Sequence, residues 1–201
     1  MIVRIGCVVE GHGEVESVPI LIRRVAQVFD PAIAVAVPHP IRVTKSKLLK
    51  AEELERAVRL AALKVGSNGG ILVVIDSDDD CPAELGPALL RRVRSSKEHL
   101  PCALVLAKKE FEAWFLASAE SLRGCRGLPM DLDPPTAPEE VAGAKEWLAS
   151  RIPHGAYAST VDQPALTAAM DIALARRSPS FDKCYREISA LLDALRSGSA
   201  L

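Results

Sequence analysis

The sequence predicts an α/β fold in which a parallel sheet of about four strands is flanked by helices and followed by a helical C-terminal part. Up to about residue 120, short apolar and β-branched runs alternate with segments of helical periodicity, the pattern of consecutive βαβ units. The apolar runs are continuous, which is typical of strands buried on both faces of a parallel sheet. Beyond Leu122, a proline-rich segment and helical patterns follow. We therefore predict an α/β core at residues 1–120 and a helical extension at residues 121–201 that packs on it.

The predicted strands and helices alternate along the first part of the chain. Strands are expected at residues 2–9, 32–37, 71–75 and 103–107. A helix is expected after each strand. The second helix should run unbroken from about Lys47 to Val65, because Leu54, Val58 and Ala61 recur on one helical face.

The composition shows no strong charge bias. The 201 residues carry a formal net charge of -1 and the sequence pI is about 6.4, so nothing draws the whole chain toward nucleic acid or an anionic membrane. The five cysteines show no C-x-x-C spacing, which argues against a zinc site and favours the reducing cytoplasm. No apolar run approaches the roughly 20 residues that a membrane span needs.

Acidic residues follow three of the predicted strands. Glu10 ends the first strand, Asp76 and Asp78 follow the third, and Glu110 and Glu112 follow the fourth. Ligands of open α/β sheets bind outside the carboxyl ends of the strands, so these side chains should share one edge. Clustered carboxylates repel one another, and a hard cation such as Mg²⁺, which prefers oxygen ligands, relieves that repulsion. The pattern therefore predicts a divalent-metal site.

Other interpretations of the acidic residues are weaker. Asp is a common turn and N-cap residue, and we interpret Asp80 as the cap of a helix that begins near Pro82. An EF-hand loop that starts at Asp76 would need glycine where Cys81 stands. A phosphatase of the aspartyl-phosphate type would use Asp76 as nucleophile and Asp78 as acid/base, but it usually has Thr or Val at the position of Asp80. The phosphatase remains a minor alternative.

Two segments resemble the Toprim fold of topoisomerases, bacterial primases and overcoming-lysogenization-defect nucleases. They are a strand followed by Glu10-Gly11-His12-Gly13-Glu14 and a strand followed by Asp76-Ser77-Asp78. Over nearly its full length the chain resembles an uncharacterised Toprim-like family, the domain of unknown function DUF4276. The segments that carry this resemblance are 9–14, 76–82, 110–115 and 178–183.

The resemblance implies a site for phosphodiester chemistry that depends on Mg²⁺ or Mn²⁺, with one or two ions. Glu10 would be the Toprim glutamate, a ligand or general acid/base, and Asp76 and Asp78 would be metal ligands. Glu110 or Glu112 would complete a second metal site, and Glu110 is favoured because it lies nearer the strand end. From its own position at a predicted helix start, Lys183 could stabilise charge on a phosphorane-like transition state.

Two function classes follow from these observations. The first is a metal-dependent nuclease, or a related phosphoryl-transfer enzyme, that acts on DNA or RNA. The second is a non-catalytic module that binds metal or nucleotide and regulates an associated ATPase. The ATPase would be a separate chain, because this chain has no Walker A motif. A primase or topoisomerase is disfavoured, since the chain lacks a zinc-ribbon cysteine set and Tyr157 and Tyr185 lie in no strand-cleaving context.

Overall fold

The computed structural model describes residues 1–97, 99–153 and 156–198. Its centre is a five-stranded parallel sheet in which β1 and β4 are the inner strands and β5 forms one edge. The strands are β1 (Ile2–Val9), β2 (Ala34–Ala36), β3 (Ile41–Arg42), β4 (Gly70–Asp76) and β5 (Cys102–Ala107). Every residue of β4 is buried, as expected for a strand covered on both faces. The predicted fold class is confirmed.

The edge beside β1 is divided between two short strands. Ala34 of β2 pairs with Ile2, whereas Ile41 of β3 pairs with Val8 at the other end of β1. Pro38 and Pro40 lie between the two segments, and proline cannot donate a hydrogen bond to a neighbouring strand. The predicted strand at residues 32–37 is therefore shorter in the structure, and its continuation is a separate strand.

Helices cover both faces of the sheet. The helices before β5 are α1 (Glu14–Phe29), α2 (Lys45–Leu48), α3 (Glu53–Val65) and α4 (Pro82–Ser96). The unbroken helix predicted from Lys47 to Val65 is wrong. Glu52 has a left-handed backbone conformation with φ 69°, which a right-handed helix cannot contain, so α3 begins after it.

The elements that follow β5 pack on the sheet and on α1. They are α5 (Ala113–Ala117), 3₁₀ turns at Ala119–Leu122, Cys125–Gly127 and Pro138–Glu140, α6 (Ala144–Ala149), α7 (Ser159–Ala169), α8 (Ile172–Ala175) and α9 (Pro179–Gly198). Helix α7 packs on α1, and α9 packs on β5 and α1. One buried apolar cluster contains residues from both parts of the chain, including Val9, Val105, Leu166 and Phe181. None of the helices described is long and apolar enough to cross a membrane.

An aromatic group joins the two later segments that carry the family resemblance. The rings of Phe111 and Trp114 lie 4.5 Å apart, and those of Trp114 and Phe181 lie 5.3 Å apart. Trp114 Nε1 donates to Ser180 Oγ at 2.8 Å. The group also reaches the sheet edge, because the Phe111 backbone N–H donates to Asp76 Oδ1 at 2.8 Å. Residues that are distant in sequence thus pack together beside Asp76.

Candidate functional site

The strands deliver their acidic residues to one edge of the sheet. Glu10 directly follows β1, and Asp76 is the last residue of the neighbouring parallel strand β4. Asp76 pairs with Ala107, where β5 ends just before the segment that contains Glu110 and Glu112. Parallel strands end on the same side, so these carboxylates have a common location.

The loops after β4 and β5 are tied to each other. The Lys109 N–H donates to Ser77 Oγ at 2.9 Å, and the Asp78 N–H donates to the Lys109 carbonyl at 3.0 Å. Asp78 and Lys109 both have positive φ, at 49° and 60°. Non-glycine residues adopt this conformation infrequently, and Asp is among those that tolerate it best.

Four carboxylates surround Lys145 and form what we call the inner cluster: Glu14, Asp76, Glu110 and Glu112. Lys145 Nζ lies 4.0 Å from Asp76 Oδ2, 3.7 Å from Glu110 Oε1 and 3.7 Å from Glu112 Oε2. The Lys145 backbone N–H also donates to Glu110 Oε2 at 3.2 Å. Burial raises the pKa of Asp76 well above its usual value, and the charges of Glu14 and Glu112 raise it further.

Glu112 is fully buried in the inner cluster. Its Oε1 accepts hydrogen bonds from Tyr157 Oη at 3.0 Å and Gln163 Nε2 at 3.3 Å, whereas its Oε2 accepts none. Burial raises the pKa of Glu112, although the positive charge of Lys145 opposes that shift. The carboxylate is thus held in place by the C-terminal part of the chain.

Glu14 connects the inner cluster to the end of β1. The Glu10 N–H donates to Glu14 Oε2 at 3.0 Å. Glu14 is buried in the first turn of α1, and this burial, with the charges of Glu10 and Glu112, raises the pKa of Glu14 to about 7. Backbone N–H groups of Glu10 and Gly11 limit the shift.

Glu10, Asp78 and Asp80 lie around a second lysine, Lys45, and form the outer cluster. Lys45 Nζ lies 2.9 Å from both Asp78 Oδ2 and Asp80 Oδ2 and donates to the Ser77 carbonyl at 2.5 Å. Burial raises the pKa of Glu10, and the charge of Asp78 raises it further. Glu10 Oε2 is buried and accepts no hydrogen bond. An open cavity of about 450 Å³ is lined by Glu10, Thr44, Lys45, Ser46, Leu49, Asp78, Asp79 and Asp80.

The prediction that Asp80 caps a helix is wrong. Helix α4 begins at Pro82 as expected, but Cys81 is its N-cap residue and no side chain forms a cap hydrogen bond there. Asp80 binds Lys45 instead. An ammonium group that approaches from α2 is a stronger partner for this carboxylate than a backbone N–H.

The donor atoms at the site suit a hard cation, but they are not arranged as a coordination shell. Within the three described stretches of the chain, no group of three or more His, Cys, Asp or Glu side chains is placed to hold a metal ion. Two buried carboxylate oxygens, Glu10 Oε2 and Glu112 Oε2, nevertheless accept no hydrogen bond. A Mg²⁺ or Mn²⁺ ion at this site would stabilise the charged form of these carboxylates, whose pKa values are raised.

The structure brings together most of the predicted site residues, with one exception. Lys183 lies in α9, partly exposed, and it forms no ion pair with the carboxylates that the structure describes. Its catalytic role stays a prediction. Lys45 and Lys145 occupy the clusters instead, and sequence reasoning missed both because neither lies in a segment that resembles a known motif. Glu14 was part of such a segment, yet it had been given no role.

The comparison with known families agrees with part of the resemblance. The family described as "Domain of unknown function (DUF4276)" matches residues 9–189, which include every site residue named above. The chain therefore belongs to this family. No curated protein and no solved structure matches the chain. The match shows the family and not a relationship to Toprim proteins.

Proposed function

We propose that this member of the DUF4276 family is a Toprim-like, divalent-metal-dependent phosphoryl-transfer enzyme, a nuclease that hydrolyses phosphodiesters of nucleic acid. The observation that carries the proposal is the convergence of carboxylates from the ends of β1, β4 and β5 at one partly desolvated edge. Repulsion between clustered carboxylates lowers the stability of the fold. Carboxylates with perturbed pKa values in a cleft are typical of functional sites.

Glu10, Asp76 and Asp78 would hold the ion, Mg²⁺ or Mn²⁺. When bound, such an ion supplies Lewis-acid activation of a phosphoryl oxygen and of water. Glu10 lines the cavity, and burial raises its pKa, which favours a role in taking up and releasing a proton. Lys45 also lines this cavity, and its ammonium group can pair with a phosphate oxygen.

We also propose a cytoplasmic location. All five cysteines are free in the structure, including the exposed Cys81. Unpaired thiols persist where the compartment is reducing. The substrate would be DNA or RNA, and recognition would depend on local charges, since the net charge of the chain is -1.

A specific observation favours a second candidate function. Lys45 and Lys145 already balance much of the carboxylate charge, which suits a non-catalytic module that regulates a separate ATPase. The phosphatase alternative is weaker. Its nucleophile, Asp76, is only 7% exposed and accepts a hydrogen bond from Phe111, whereas a nucleophile must reach its substrate.

A cleavage assay with the purified chain separates these functions. We expect weak cleavage of labelled single- or double-stranded DNA or RNA with Mn²⁺ or Mg²⁺, and none with EDTA. Asp76→Asn should reduce cleavage at least about 100-fold, the scale of losing a main electrostatic group. The fold should survive, because the asparagine oxygen can still accept the Phe111 N–H.

The matched control is Asp131→Asn, which makes the same chemical change at an exposed loop residue. This variant should cleave as the wild type does. Cleavage that persists undiminished in Asp76→Asn would contradict the proposed site. If the wild type binds Mn²⁺ but cleaves nothing, the regulatory module becomes the better description.

A further inference from the structure

We infer that the Lys145 ammonium is the resident cation of the inner cluster and takes the place there of a second divalent ion. The site would then hold one divalent ion, beside Glu10, Asp76 and Asp78. The statement about the number of ions rests on the proposed function. The role of Lys145 as the permanent counter-charge of the cluster does not depend on it.

The position of Lys145 is the first argument. Its ammonium lies within 4.0 Å of carboxylate oxygens of Asp76, Glu110 and Glu112. These oxygens come from β4 and from the segment after β5. Glu110 and Glu112 of that segment are the residues that would have to supply the ligands of a second ion. An ion that binds the Glu110 and Glu112 oxygens at about 2.1 Å would lie within a few ångströms of the ammonium, and the two cations would repel each other.

Lys145 is also fixed in this position from its backbone. Its N–H donates to Glu110 Oε2 at 3.2 Å, so one carboxylate contacts both ends of the residue. Gly143, two residues before Lys145, has φ 71°. Glycine adopts this conformation without strain, and it forms the turn that leads into α6 and presents Lys145 to the cluster.

The charge of Lys145 supports the same role. The carboxylates of Glu112, Asp76, Glu110 and Glu14 all act on its ammonium. A positive charge is what a buried group of carboxylates needs in order to remain ionised.

The second lysine provides the contrast. Lys45 binds Asp78 and Asp80, whose side chains are 59% and 52% exposed. Lys145 faces Glu112 and Asp76, whose side chains are 0% and 10% exposed. The two lysines differ in the opposite sense, since the Lys45 side chain is 10% exposed and that of Lys145 is 40% exposed, so the contrast lies in the carboxylates. An arriving ion that displaced Lys45 would leave Asp78 and Asp80 accessible to water. Displacement of Lys145 would leave Glu112 buried without its only nearby cation among the described residues.

The first test measures melting temperature in EDTA. Lys145→Met removes the charge and keeps an apolar stem, and it should lower the melting temperature by about 5 °C or more, since loss of one partner exposes buried charges to each other. Lys145→Arg should retain most of the stability. The double variant Lys145→Met with Glu112→Gln should recover much of the loss, because it removes one of the charges that Lys145 balanced.

Lys108→Met is the matched control. Lys108 pairs with Glu140 on the surface, and the loss of that pair should shift the melting temperature by no more than about 2 °C. A Lys145→Met variant that melts with the wild type, or one whose loss is unchanged by Glu112→Gln, would overturn the inference.

The second test counts bound Mn²⁺ by electron paramagnetic resonance titration. The wild type should bind one ion per chain, and Lys145→Met, if folded, should bind two. Two ions on the wild type, or one ion on both proteins, would contradict the inference. If the wild type binds no Mn²⁺, the proposed function fails, while the melting temperatures in EDTA still decide whether Lys145 is the resident cation. Lys145→Arg should bind one ion and serves if Lys145→Met does not fold.

Discussion

The inner and outer clusters place the same kinds of group at the same sheet edge, yet they differ in burial. Each has carboxylates around one lysine, but the side chains of Asp76 and Glu112 are 10% and 0% exposed, whereas those of Asp78 and Asp80 are 59% and 52% exposed. In the inner cluster, desolvation is the first cause of raised pKa. We expect burial of the carboxylates, and not the number of charges, to separate a permanent ionic arrangement from an exchangeable one.

The largest effect on stability should come from titration of Glu14 in EDTA. Its pKa is about 7 in the folded chain and near its ordinary value of about 4.5 when unfolded, so the folded state binds this proton more tightly. The resulting stability is fully present below about pH 4.5 and is lost as the pH rises to about 7. The difference amounts to about 3 kcal/mol. Glu14→Gln should remove that part of the pH dependence.

Urea unfolding of the wild type and Glu14→Gln from pH 4.5 to pH 8 measures this difference. Asp80→Asn, which makes a similar change at a half-exposed carboxylate of the outer cluster, is the matched comparison. If the free energy of unfolding changes with pH in the same way for the wild type and Glu14→Gln, burial of Glu14 does not contribute to the pH dependence of stability.

An intermediate effect is expected from Tyr157→Phe. The Tyr157 hydroxyl donates to Glu112 Oε1 at 3.0 Å, and its loss leaves the buried carboxylate with Gln163 as its side-chain hydrogen-bond donor. We expect a loss of about 1–2 kcal/mol in the free energy of unfolding, because a buried charge loses a donor. Tyr185→Phe is the control, since Arg176 lies over the Tyr185 ring and that contact does not need the hydroxyl. Equal stabilities of Tyr157→Phe and the wild type would argue that Glu112 is protonated in the folded chain.

The smallest effect is expected from Asp78→Asn in the outer cluster. The variant weakens an ion pair with Lys45 in which the carboxylate is exposed, and Asn tolerates the positive φ of this position well. The free energy of unfolding in EDTA should change by less than about 0.5 kcal/mol. Asp78→Ala should cost about 1 kcal/mol more, since alanine is strained at positive φ.

The response to Mn²⁺ provides a second test of Asp78. Thermal melts should show that Mn²⁺ stabilises the wild type and stabilises Asp78→Asn far less, because an ion that binds only the folded state adds stability that increases with its affinity. An equal response of both proteins would mean that Asp78 is a loop residue and not a ligand.

The fold and the location of the site could be predicted from the sequence because both depend on local patterns. Continuous β-branched runs indicate buried parallel strands, and Glu10 and Asp76 lie at the ends of two such runs. The breaks could not be predicted. Glu52 ends one helical pattern by its backbone conformation, and helix periodicity contains no signal for a single left-handed residue.

The sequence by itself determined that carboxylates would meet at one sheet edge, since the strands of a parallel sheet all end on the same side. Only the tertiary structure decided which positive charges meet them. Lys45 and Lys145 come from helices whose positions depend on how the whole chain packs, and no local spacing connects either lysine to Asp76 or Asp78. The electrostatic character of each carboxylate was decided in the same way, because desolvation is a property of the folded chain and not of the residue.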